Sequence, residues 1–195
     1  LINYEGGFTK RGIVGQFSIY LSKLFIISLR DAIFILQITL VGTYFFLVYH
    51  FLKNIFYNKI FIFAIFTPIF ILYPVAEIEV LARKEVFIFI YLLLYTLIPI
   101  SRKNYKFFYK LCLFPCAILI WEPVIFFILF FFFLDLIENK INKINKLFII
   151  SIISYIPSII LAVYIALNPI SDEAHKLMSS YLMENFNENC YMSCD

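Results

Sequence analysis

Apolar residues fill the chain from about residue 24 to residue 167, and only short charged clusters interrupt them. A helix needs roughly 20 such residues to cross a hydrocarbon core of about 30 Å. The apolar stretches at about 32–52, 60–74, 86–100, 111–136 and 147–167 are candidates. The pattern predicts an all-α fold, a polytopic integral membrane helical bundle with five or six transmembrane helices. Asp31 stands where an N-cap is expected for the first span. Pro157 predicts a kink in the last one, because proline removes an i→i−4 hydrogen bond. Asn168-Pro169 ends that span, and Ser171-Asp172-Glu173 predicts a short helix in the polar tail.

The stretch 111–136 is interrupted by Trp121-Glu122-Pro123. The residue before a proline avoids the helical region. A hairpin of two short helices, 111–120 and 123–135, is therefore favoured over one long span. A tip that stops inside the bilayer is tolerated only where protein or water covers its backbone.

Residues 1–15 hold four of the five glycines, which is loop chemistry. Residues 13–30 are half apolar at helical spacing. That suits a helix lying in the interface, or the start of a span. The positive-inside rule then sets an orientation. Lys53 and Lys59, and Arg102, Lys103, Lys106 and Lys110, sit in turns without acids and are expected in the cytoplasm. Glu77–Glu85 falls on the outer face. With the hairpin, the cluster Lys140, Lys143 and Lys146 returns to the cytoplasm. The segment 1–30 and the tail 168–195 are then external. The chain starts without Met and stops in mid-pattern, so a longer protein with further spans is expected.

Composition strengthens the membrane reading. The hydrophobic fraction is 63%, above the roughly 45–50% of soluble domains. The net charge of +3 carries little information, and no basic stripe interleaves with aromatics, so nucleic acid is not an expected partner. Cys112 and Cys116 lie in an apolar run and read as packing. Cys190 and Cys194 lie in the tail, where a disulfide and two free thiols are both open. No Cys/His cluster has zinc spacing, so no metal is expected from ligand spacing.

The candidate chemistry lies on the expected outer face. It comprises Glu5 with Lys10 and Arg11, the cluster Glu77, Glu79, Arg83, Lys84 and Glu85, and Glu122 at the hairpin tip. Charged groups at membrane depth cost about 2.5–3.5 kcal/mol each on insertion scales, and they usually pair or line an aqueous cavity. A solvated turn with i, i+4 ion pairs is the plain alternative for Glu77–Glu85, and a turn residue meeting interfacial water is the plain alternative for Glu122. If the clusters converge, Arg83, Lys84, Arg11 and Lys10 would hold a diphosphate. A carboxylate among Glu122, Glu5, Glu77 and Glu79 would take a proton from an acceptor hydroxyl. No metal is strictly required, although a carboxylate beside a diphosphate can hold Mg²⁺ or Mn²⁺.

The loop Glu5-Gly6-Gly7-Phe8-Thr9-Lys10-Arg11-Gly12, followed by an in-plane helix and a string of spans, resembles the first external loop of multi-pass envelope-polysaccharide proteins. These are the O-antigen polymerase-like proteins and the glycosyltransferases of the GT-C fold. Ala82-Arg83-Lys84-Glu85 opening a span and the Trp121-Glu122-Pro123 hairpin add to the resemblance. It implies a bacterial inner-membrane protein that acts on a lipid-linked diphosphate sugar. Glu5 is the acid placed to inherit the catalytic role on the first external loop, but the paired acidic motif of the GT-C enzymes is absent. Arg11 and Arg83 match the external arginines that bind the lipid diphosphate in the polymerases. A transporter or flippase subunit and a non-catalytic membrane scaffold are the alternatives.

Overall fold

A computed structural model describes residues 3–4, 12–53, 85–99, 101–138 and 146–188. Among the described residues every regular element is helical. The chain divides into two compact units, residues 1–32 with 100–195, and residues 33–99. Helix α1 is Gly12–Phe25 and α2 is Leu29–Leu52. Helix α3 is Glu85–Leu97 and α4 is Lys103–Phe108. A π-helical turn, Tyr109–Leu113, joins α4 to α5, Phe114–Ile120. A 3-10 turn, Glu122–Phe127, leads into α6, Ile128–Glu138. Helices α7 (Lys146–Ile153), α8 (Ile156–Leu167) and α9 (Asp172–Phe186) complete the order.

Among the described residues, two segments are long and apolar enough to cross a membrane: α2, with 24 residues, and Phe148–Leu167, with 20. Only 22% and 28% of their most apolar windows are buried. A helix in the core of a soluble domain would hide most of that surface. Instead Ile149, Ile152, Ile156, Ile160 and Val163 point outward. Patches of this kind mark contact with lipid or with another chain.

The expected span 86–100 holds α3, which has 13 residues among those described. The expected span 60–74 lies outside the described residues. The expected span 147–167 is the Phe148–Leu167 segment, with a turn at Ser154 and Tyr155 just before the expected Pro157 kink. Pro157 stands in the first turn of α8, so its missing N–H leaves no donor for the carbonyl of Ile153. The break is therefore set just before the proline. The Tyr155 N–H reaches Ile152 at 3.1 Å instead, in the tighter i→i−3 pattern.

The start of α2 also differs from the expectation. Ser28, not Asp31, is the N-cap. Its Oγ accepts from the Asp31 N–H at 3.1 Å and donates to Asp31 Oδ2 at 2.6 Å. This is a close variant of the capping box, with Asp in place of Glu. Within residues 33–99, α2 and α3 pack through Tyr44, Leu47, Val48, Val86 and Ile90.

Helix α1 ends on Ile26, which has φ 53°. The Ile27 N–H bonds the Ser22 carbonyl at 3.1 Å, the long bond of a Schellman cap. That left-handed position favours glycine, and a β-branched residue there is strained. Ile26→Gly is expected to raise stability by up to about 1 kcal/mol, read by thermal unfolding in detergent.

Helix α9 follows the sequence pattern closely. The Ala174 N–H donates to the Ser171 side chain at 3.2 Å. The far end of α9 is tied to the start of α2. Arg30 donates to both carboxylate oxygens of Glu188, at 2.5 and 3.1 Å. The Arg30 hydrogen bond holds the Glu188 carboxyl below its ordinary value of 4.5. A lowered carboxyl stabilises above its unfolded value and loses that contribution as pH falls through the folded one. The end of α9 is therefore expected to loosen below about pH 4.5. Hydrogen exchange at Met183–Phe186 should speed up there, and Arg30→Gln should remove the dependence.

Candidate functional site

Two short arms meet around a break. Trp121 leaves helical geometry with φ −155° and ψ 108°. Glu122 and Pro123 then open the 3-10 turn. Beyond it α6 runs back along the first arm. The Phe114 ring meets Phe131 edge-on at 5.1 Å, and meets Tyr155 edge-on at 5.7 Å. Phe114 and Phe131 are fully buried. The hairpin and the broken pair α7–α8 thus share one aromatic core.

Below that core lies a buried polar cluster. Lys110 Nζ donates to Asp135 Oδ2 at 2.5 Å and to Ser151 Oγ at 3.1 Å. Ser151 Oγ also donates to Asp135 Oδ2 at 2.5 Å. The three residues are 3–5% exposed (4%, 3% and 5%). Lys110 Nζ stands 5.2 Å from the centre of the Tyr155 ring, within reach of a cation–π contact. The cluster therefore joins three elements: the π turn, α6 and α7.

Local sequence explains the placement of Lys110. Pro115 has no N–H to offer the Leu111 carbonyl, and its ring crowds that carbonyl. A π turn, with its i→i+5 pattern, occupies Tyr109–Leu113 just before it. The extra residue turns both Tyr109 and Lys110 inward. A charge buried in this way is tolerated only when paired and hydrogen-bonded.

Of the acids and bases expected to bind or act on substrate, Glu122 is the one among the described residues. It is half-buried, and its Oε1 is fully covered. Glu5, Lys10, Arg11, Glu77, Glu79, Arg83 and Lys84 lie outside the described residues. Among the described residues no group of three His, Cys, Asp or Glu could hold a metal ion. Cys112 and Cys116 are free and exposed, which corrects the packing expectation.

The Lys110–Asp135–Ser151 cluster was not anticipated. Its signal in the sequence is symmetry. Lys110 lies 12 residues before Glu122 and Asp135 lies 13 after it, so folding at the break sets them opposite each other.

No protein-family model, curated protein or solved structure matches this chain.

Proposed function

We propose that this chain is part of a polytopic bacterial inner-membrane protein of five or six spans. It acts on lipid-linked sugars at the outer face, as a glycosyltransferase or polysaccharide polymerase. The observation that carries this reading is the position of Glu122. From Lys110 to Trp121 the first arm covers roughly 16 Å at 1.5 Å per residue. Ser151 lies three residues from the start of the Phe148–Leu167 segment, so the ion pair sits near one end of that span. On this reading the Glu122 tip stops inside the bilayer in a cavity open to the outer face, at a break where the backbone is not α-helical. An ionisable group at that depth is a functional candidate by default.

In this reading Glu122 takes the proton of an acceptor hydroxyl or positions that hydroxyl. Glu5, Glu77 and Glu79 are the other acids of the outer face. Arg83, Arg11, Lys84 and Lys10 hold the diphosphate. The resemblance of the Glu5–Gly12 loop supplies the substrate class. A second reading, a transporter or flippase subunit for a lipid-linked or anionic substrate, is favoured by a different observation. The buried Lys110–Asp135–Ser151 cluster lies beside a broken helix, and buried ionisable groups within membrane segments mark ion and substrate pathways.

One experiment separates them. Glu122→Gln and Glu122→Ala are expected to abolish long surface polysaccharide chains while the full-length protein stays at its normal level in the membrane. Lipid-linked repeat units should then accumulate on the outer face. Accumulation on the cytoplasmic face would favour transport. Unchanged chains in both variants would remove the polymerase reading.

A further inference from the structure

The face of α7–α8 that meets the hairpin carries hydroxyls rather than methyls. Ser151, Ser154, Tyr155 and Ser158 recur at helical spacing and are 5%, 0%, 2% and 0% exposed. Ser151 is bound to the Lys110–Asp135 pair. Ser154 Oγ donates to the Ser151 carbonyl at 2.6 Å. The Tyr155 hydroxyl and Ser158 Oγ are fully buried and find no hydrogen-bond partner among the described residues.

Serines in apolar helices commonly bond back to a carbonyl one turn earlier. Ser18, Thr39 and Thr43 do so in this chain, at 2.7–2.8 Å. Ser158 does not. Leaving a buried hydroxyl unsatisfied costs about 1–3 kcal/mol. Two such groups one turn apart on one helix face define a polar site inside an apolar wall. The chemistry that satisfies both is a small group that donates and accepts, and water is the simplest such group.

We propose that Tyr155 and Ser158 hold ordered water inside the protein, on the face of α8 turned toward the hairpin. The site adjoins the polar cluster of Lys110, Asp135 and Ser151 through the Tyr155 ring, which lies 5.2 Å from Lys110 Nζ. Helix α8 packs on both α5 and the Glu122–Phe127 turn, so these elements face the site. It goes beyond the reading of Glu122 and stands whichever reaction that residue serves.

Radiolytic hydroxyl labelling of the full chain in lipid nanodiscs tests this, because side chains beside bound water are modified even when solvent cannot reach them. Tyr164, 52% exposed on the apolar outer face, is the dry control in lipid. Tyr155, 2% exposed, is expected to label faster than Tyr164. Ser158→Val should drop Tyr155 to the Tyr164 rate, whereas the isosteric Ser158→Thr, which keeps the hydroxyl, should not. Slow labelling of Tyr155 in the unmodified protein overturns the proposal. So does equal labelling in the Val and Thr variants. Because Val and Thr have the same shape, a packing defect affects both and cannot imitate the expected difference.

Discussion

Asp135→Ala is expected to cost about 3–5 kcal/mol of stability. The loss comes from what remains rather than from what is removed. Lys110 would be left 4% exposed, without the carboxylate that now accepts its proton donor at 2.5 Å. Ser151 would lose the same acceptor. Lys110→Ala should cost a similar amount, because it strands Asp135. Changing both partners should cost far less. An apolar pair of similar volume, Lys110→Met with Asp135→Leu, removes the desolvation penalty together with the attraction. Denaturant unfolding of the purified protein in detergent reads all three variants. If the double variant is as unstable as either single one, the cluster's contribution is something other than pairing. If Asp135→Ala unfolds like the unmodified protein, the pair does not tie the hairpin to α7.

The hydrophobic pattern carried the helical class and the main interruptions. Trp121-Glu122-Pro123 could be read as a break because proline constrains both itself and its predecessor, and the chain leaves α geometry there. Ser171-Asp172-Glu173 could be read as a helix start because capping is a local hydrogen bond. Asp31 misled for a related reason. An acid suits an N-cap or the first turn equally well, and only the Ser28 Oγ geometry separates the two. The span 147–167 and its interruption near Pro157 could also be read, but the turn falls just before the proline, at Ser154 and Tyr155, because the missing N–H frees the Ile153 carbonyl one turn earlier. The polar cluster was hidden for a different reason. Lys110 is one cation among several in a basic loop, and Asp135 opens a polar linker. In a linear reading both look like solvated charges that set topology. Burial and pairing depend on the fold of the hairpin and on the π turn, which no short motif encodes. Glu122 was legible because it stands alone in an apolar run.

Phe114→Ala is expected to be as costly as the loss of a charge, about 3–5 kcal/mol, although it touches no polar group. Phe114 has 0% exposure and fills the space between Phe131 on α6 and Tyr155 at the α7–α8 turn. Lipid does not reach this site, so nothing refills the cavity. Phe126→Ala is the matched control. That ring is 74% exposed on the outside of the 3-10 turn, where truncation leaves no enclosed cavity, and its loss should cost less than about 1 kcal/mol. Phe114→Leu should recover most of the difference, since it keeps most of the volume without the edge-on contacts. The contrast also tests the wider architecture. If Phe114 and Phe126 prove equally tolerant, the hairpin does not pack on α7–α8 as a unit. The aromatic core would then not fix the position of Tyr155 over the Lys110 ammonium. If only Phe114 is intolerant, the core and the ion pair beneath it act as one clamp. That clamp holds the Glu122 break at a fixed depth against the last span.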